Sequence, residues 1–216
     1  MTIRTILSAV ALTVVAVGSS ATAQTYGLGY DQTRYDTTGE SVEVTLFLTE
    51  DVSDGSTSRL ATANPNDDLF SFSVSVDYGS FTGGSGSTFS SLEFASGFVQ
   101  SSDVVFTRIL DSGTRVSFES TVGLGDGLPG TLVGADLYEI PLATLVFDAG
   151  DFGSVTTLQS GLTELVGNED LLFEDNATPE LTNFGTAQIF VAVPEPGSAA
   201  FIALLAGAGM IKRRRK

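Results

Sequence analysis

Ten residues, 69 to 78, constrain this chain more than any other stretch. Phe70, Phe72, Val74, Val76 and Tyr78 fall on one parity, and Ser71, Ser73, Ser75 and Asp77 fall on the other. A period of two with aromatic and β-branched residues on one side is the pattern of a strand. Serines opposite predict a sheet with one buried and one wet face. Val42, Val44, Leu46 and Leu48 repeat the alternation over 42–48. Further strands are predicted at 92–99, 104–110, 114–122, 142–147, 154–158, 171–173 and 187–193, about eight or nine in all. Asp111-Ser112-Gly113 is a hairpin turn signal, and 50–68, 79–91 and 123–130 are polar or glycine-rich connections. No stretch holds a 3.6-residue period and no repeat of fixed length is present, so the chain is predicted to be all-β, a single β-sandwich.

Composition removes much of enzyme chemistry. The 216 residues contain neither cysteine nor histidine. Disulfides, thiol nucleophiles, zinc-thiolate sites, imidazole metal sites and Ser-His-Asp catalysis are therefore excluded. The formal charge of −16 understates the asymmetry of the chain. Between residues 24 and 193 stand 25 acidic groups against 4 basic ones (Arg34, Arg59, Arg108, Arg115), a balance of −21. Such a surface repels nucleic acid, and no DNA or RNA partner is expected.

The two ends predict an address. Arg4, an apolar run over 6–17 and the small residues Ala21-Thr22-Ala23 read as a secretory signal peptide over 1–23, cleaved after Ala23. The ectodomain is then 24–193. At the other end, residues 197–211 carry no charge, and Lys212-Arg213-Arg214-Arg215-Lys216 follow. As a helix, 15 residues cover roughly 22 Å, less than the ~30 Å of a bilayer's hydrocarbon core. Snorkelling cations and local thinning accommodate the difference, and the basic cluster is expected to stay on the cytoplasmic side. The expectation is a short C-terminal transmembrane helix with the domain outside.

Pro194-Glu195-Pro196, then an apolar segment, then a terminal Arg/Lys cluster resembles the PEP-CTERM sorting signal, over 194–216. That resemblance implies recognition by an exosortase, a membrane-embedded cysteine transpeptidase. Processing is implied near Pro194, Glu195 and Pro196, which would be substrate residues. It also implies a bacterium that makes extracellular polysaccharide. Secretion machinery, exosortase and membrane are the implied partners, with exopolysaccharide or other surface proteins as candidates. The expected destination is the cell surface or extracellular matrix. The strands at 42–48 and 69–78, and Ile140-Pro141-Leu142-Ala143-Thr144-Leu145-Val146-Phe147 with its following turn, resemble the cohesin-type β-sandwich. This second resemblance implies a nine-stranded jelly-roll-like body used for non-covalent binding.

Three chemistries have candidate residues in the sequence. Asn64, Asn66 and Asp68 in one loop, and Glu169, Asp170, Glu174, Asp175 and Asn176 in another, supply the oxygen ligands calcium prefers. Neither loop has EF-hand spacing, and turn formation with solvation is the plainer expectation, with no cofactor. Glu119 and Glu164 are carboxylates of the type a glycosidase pairs. Tyr26, Tyr30 and Tyr35 are the likeliest exposed aromatics for stacking on a sugar, although core packing is the simpler role. The expected role is structural or adhesive and non-catalytic, with a carbohydrate- or calcium-dependent binding module as the alternative.

Overall fold

A computed structural model describes residues 24–53, 55–61, 68–98, 104–123, 125, 127–163, 171–175 and 177–194. The predicted leader with Ala23, the residues Glu195 and Pro196, the apolar tail and its predicted helix lie outside the described residues. Among the described residues no helix is long and apolar enough to cross a membrane.

Thirteen strands are present among them: β1 (Thr25–Tyr30), β2 (Arg34–Thr37), β3 (Val42–Asp51), β4 (Leu69–Thr82), β5 (Thr88–Phe94), β6 (Val104–Asp111), β7 (Arg115–Val122), β8 (Thr131–Leu132), β9 (Leu137–Asp148), β10 (Val155–Leu162), β11 (Leu171–Phe173), β12 (Leu181–Phe184) and β13 (Thr186–Val191). A single 3₁₀ turn spans Ser96–Phe98. One sheet runs β12-β1-β3-β9-β5, with β8 on β9. The other runs β2-β13-β10-β4-β7-β6, with β11 on β4. Most neighbours are antiparallel, but β1 pairs β12 and β2 pairs β13 in parallel. The first two strands and the last two are thus laced together, one pair in each sheet. Gly185 sits where β12 hands over to β13. Its N–H donates to the Leu28 carbonyl at 2.7 Å, and a Cβ there would lie 2.7 Å from that same oxygen. Only glycine allows this approach.

The apolar parities meet between the sheets. Phe72, Val74 and Val76 of β4 are fully buried, as are Val44, Leu46 and Leu48 of β3 and Leu145 and Phe147 of β9. Phe72 sits at the centre of an aromatic group, 4.8 Å from Phe98 and 6.2 Å from Phe94 and Phe118 by ring centroid. Burying each such side chain stabilises the fold by roughly 1.5–3 kcal/mol.

Four expectations change. The count rises from about nine strands to thirteen, because the lead-in supplies β1 and β2 and two further short strands, β8 and β12, pair at the sheets' margins. The connection predicted over 79–91 is mostly strand: β4 continues to Thr82 and β5 starts at Thr88, with Phe89, Leu92 and Phe94 packed against the core. An edge strand needs only one apolar face, so its serines and threonines hid it. β3 likewise runs past 48 to Asp51, into the predicted connection. The wet face of β4 is not wet, since Ser71, Ser73 and Ser75 are all buried. Ser71 shares a hydrogen bond with Thr121 at 2.9 Å, and Ser75 donates to the Leu162 carbonyl at 3.0 Å. A small hydroxyl between larger cross-strand neighbours is shielded without being in the apolar core.

Candidate functional site

The acidic loops come together, but as structural devices. The Glu174 N–H donates to the Asp68 carbonyl at 3.0 Å, so one residue from each predicted calcium loop is brought together. Asn64, Asn66, Glu169, Asp170 and Asn176 lie outside the described residues. Glu174 Oε1 accepts from the backbone N–H of Gly125 and Gly127, each at 3.0 Å. Asp175 accepts from the Ala177 N–H at 2.9 Å and pairs with Arg59 at 2.9 Å. The Ala177 N–H, and after it the Arg59 guanidinium, hold the Asp175 carboxyl below the usual carboxylate range. These are the bonds of turns and of an ion pair. Among the described residues no three carboxylates converge as a metal would need.

Glu119 stands on β7, buried opposite Ser73, whose hydroxyl lies 3.4 Å from Oε2; Glu164 lies outside the described residues. The tyrosines take the simpler of their two expected roles. Tyr26 and Tyr35 are in the core and Tyr30 packs against it. Burial pushes the Tyr35 hydroxyl well above its ordinary pKa, with a 2.6 Å hydrogen bond to Asp31 adding to the shift. These three rings form no exposed stacking platform.

The most heavily bonded carboxylate is one no motif singled out. Glu50 is fully buried at the end of β3. Oε1 accepts from the Tyr26 hydroxyl at 2.9 Å, the Arg59 N–H at 2.8 Å and the Gln24 amide. Oε2 accepts from the Ser58 hydroxyl at 2.5 Å and the Leu60 N–H at 3.0 Å. Its signal was in the sequence, because Glu50 falls on the same parity as Val42, Val44, Leu46 and Leu48. A charge continuing an apolar row must carry its own partners inward.

The surface feature that stands out is β6. It is the last strand of its sheet, and its eight residues make it twice as long as β2 at the opposite edge. Phe106, Arg108 and Leu110 pair with Thr121, Glu119 and Ser117, so they share the outward face; Ile109 pairs with the buried Phe118 and lies on the core side. Phe106 is 44 % exposed, Ile109 42 % and Leu110 43 %. Phe106 and Leu110 thus flank the exposed Arg108 on one face and Ile109 is exposed on the other, on an edge that no further strand covers among the described residues. The strand was legible in the sequence; its place at the edge was not. By contrast, β2 is guarded by the Arg34–Asp36 ion pair at 2.7 Å, with the Arg34 guanidinium 4.6 Å from the Phe190 ring centre.

No family model matches the sequence, and no curated protein matches it. Among solved structures, CaCohA2 from Clostridium acetobutylicum is 14 % identical and superposes with a TM-score of 0.50 over 80 % of this chain and 94 % of that one. The body is a cohesin-like sandwich. Similar scores are found for the Coh-OlpA cohesin–dockerin complex of Clostridium thermocellum (TM-score 0.49, 12 % identity, 77 % of this chain and 99 % of that one). The second type II cohesin module of the ScaA scaffoldin of Acetivibrio cellulolyticus gives 0.44 at 11 % identity, over 80 % and 99 %. The cohesin-like likeness agrees with the resemblance read from strands 42–48, 69–78 and 140–147. At such identities it speaks for the fold alone.

Proposed function

We propose that this protein is an exported, surface-displayed docking module that holds a protein partner non-covalently at β6. The observation that carries the reading is an edge strand with Phe106 and Leu110 exposed beside Arg108 on one face and Ile109 exposed on the other. A partner suited to it presents apolar side chains around a carboxylate or carbonyl acceptor, which the Arg108 guanidinium receives. A binding role is in keeping with the cohesin-like fold, the Coh-OlpA structure named above being that of a cohesin–dockerin complex. In this reading the leader ending at Ala23 exports the chain. An exosortase then acts near Pro194, Glu195 and Pro196, and the module is displayed at the cell surface or in a polysaccharide matrix. Catalysis plays no part in it. Among the described candidates Glu174 and Asp175 hold turns and Tyr26 and Tyr35 lie in the core, which favours protein docking over a calcium- or sugar-dependent module.

The test is site-specific photo-crosslinking of the full chain in an exosortase-bearing host. A crosslinker at Ile109 is expected to capture one discrete extracellular protein, and R108E is expected to abolish that product. Crosslinking from 109 that matches crosslinking from Leu132, an exposed leucine elsewhere, would overturn the reading.

A further inference from the structure

We infer that, in the unprocessed chain, the end of the sandwich from which the chain leaves rests on the bilayer surface, with Phe81, Phe152 and Val193 as the contacts. The inference rests on the reading of 197–211 as a membrane segment and adds which part of the domain faces it.

Three separate loops build this end. Gly83 and Gly153 approach so closely that a Cβ on Gly83 would lie 2.5 Å from the Gly153 carbonyl oxygen. Asp151 clasps the same two loops: its N–H donates to the Ser85 carbonyl at 3.0 Å and its Oδ2 accepts the Ser85 N–H at 2.8 Å. The Gly153 N–H donates to the Val191 carbonyl at 2.7 Å, which fixes the last strand against them. On this clasped platform Phe81 is 50 % exposed, Phe152 54 % and Val193 65 %. Phe81 lies over Gly86, Phe152 over Gly39 and Val193 over Gly153, so the three sit on adjoining backbone.

The length of chain beyond them decides what they face. Pro194, Glu195 and Pro196 alone separate Val193 from the uncharged run that starts at Gly197. Four extended Cα steps span at most about 14 Å. A domain tied to a membrane segment by so short a link cannot turn this end away from the lipid. Two phenylalanines and a valine at a water-exposed end are a cost in solution, but they suit the boundary between headgroups and acyl chains. Two acidic groups of this end are held within it, Asp151 on Ser85 and Asp148 on the Ser41 hydroxyl at 3.0 Å, and Glu40 beside Gly39 is exposed.

The chain contains no tryptophan, so one introduced residue is a unique reporter. F81W, F152W and, at the opposite end, L132W are reconstituted as full chains in phosphatidylcholine vesicles with and without brominated acyl chains. The expected result is loss of emission by bromine at 81 and 152 and none at 132, in protein that floats with the vesicles. Floating protein in which 81 and 152 are quenched no more than 132 overturns the inference while leaving the membrane segment standing. Protein that does not float removes the membrane reading, and this inference with it.

Discussion

Replacing Glu50 by glutamine changes one atom and tests the buried polar centre of the fold. The carboxylate accepts five hydrogen bonds and donates none. An amide must turn its NH2 toward one set of donors. Turned to the Oε2 side it faces the Ser58 hydroxyl, which can rotate to accept, and the Leu60 N–H, which cannot. Turned to the Oε1 side it faces the Arg59 N–H, the Tyr26 hydroxyl and the Gln24 amide, a worse set. The better choice still strands one buried backbone donor, at about 1–3 kcal/mol, and weakens the remaining charge-assisted bonds. A loss of about 2–4 kcal/mol is expected, or roughly 5–15 °C in melting temperature for a domain of this size. Glu50→Ala strands both the Arg59 and Leu60 N–H groups and leaves a void, at about 3–5 kcal/mol. Urea denaturation of the three proteins measures both differences. A Glu50→Gln variant within about 0.5 kcal/mol of the parent would refute the reasoning, since that is the range of an uninvolved surface change.

Glycines of equal φ should behave unequally. Gly83 and Gly113 have φ of 81° and 82°, but a Cβ on Gly83 meets the Gly153 carbonyl oxygen whereas one on Gly113 meets nothing within 4 Å. Gly113→Ala is expected to cost about 1–2 kcal/mol and Gly83→Ala distinctly more, and equal melting shifts would refute the contact. The Ser85 N–H, and then its side chain, hold the Asp151 carboxyl below its ordinary range. Its contribution is therefore present above the unfolded carboxylate pKa and lost as pH falls through the folded one, below about pH 4. Hydrogen-exchange protection of 83–87, relative to the intrinsic rate at each pH, should fall there in the parent, and Asp151→Asn should show the lowered protection at neutral pH as well. Burial pushes the hydroxyls of Tyr30, Tyr35 and Tyr78 above their ordinary value, and the Tyr78 bond to Asp111 at 2.5 Å adds to its shift. The folded state holds those protons after the unfolded chain has released them, so stability is lost as pH rises beyond roughly 10. Spectrophotometric titration should show these three ionising only with unfolding, and early ionisation of all five tyrosines would count against it.

What was legible in the sequence is what lies within one strand. The alternation of β4 and β3 reported their core faces because parity is a local property, and the Asp111-Ser112-Gly113 turn reported its hairpin, closed by the Ser112 N–H on the Arg115 carbonyl at 2.9 Å. What lies between distant strands was not legible. β1 pairs Tyr26 with Leu181, across most of the chain, and a six-residue strand with two glycines carries no local mark of that partner. The core placement of Tyr26 and Tyr35 agrees with the simpler of their two expected roles, although the distant partners that bury them leave no local mark. The serine row of β4 looked wet because a residue's type reports its chemistry and not its neighbours. Glu50 carries a local signal that no motif marks, an acid on the apolar parity. The apolar patch of β6 needed the sheet order, because the same residues in a central strand would be core.

The parallel lacing of the chain's first and last strands has a mechanical consequence. β1 begins at the end of the sandwich opposite the one where β13 stops, and each is bound to a strand from the other terminus. Tension applied between residues 24 and 194 therefore slides β1 past β12 and β13 past β2 along their lengths. The ladder bonds lie across that direction, so they share the load and yield together. A pull across the β6–β7 hairpin instead opens its bonds one after another. Single-molecule stretching should find the first geometry rupturing at higher force than the second, as suits a module that carries load between a tether and a partner.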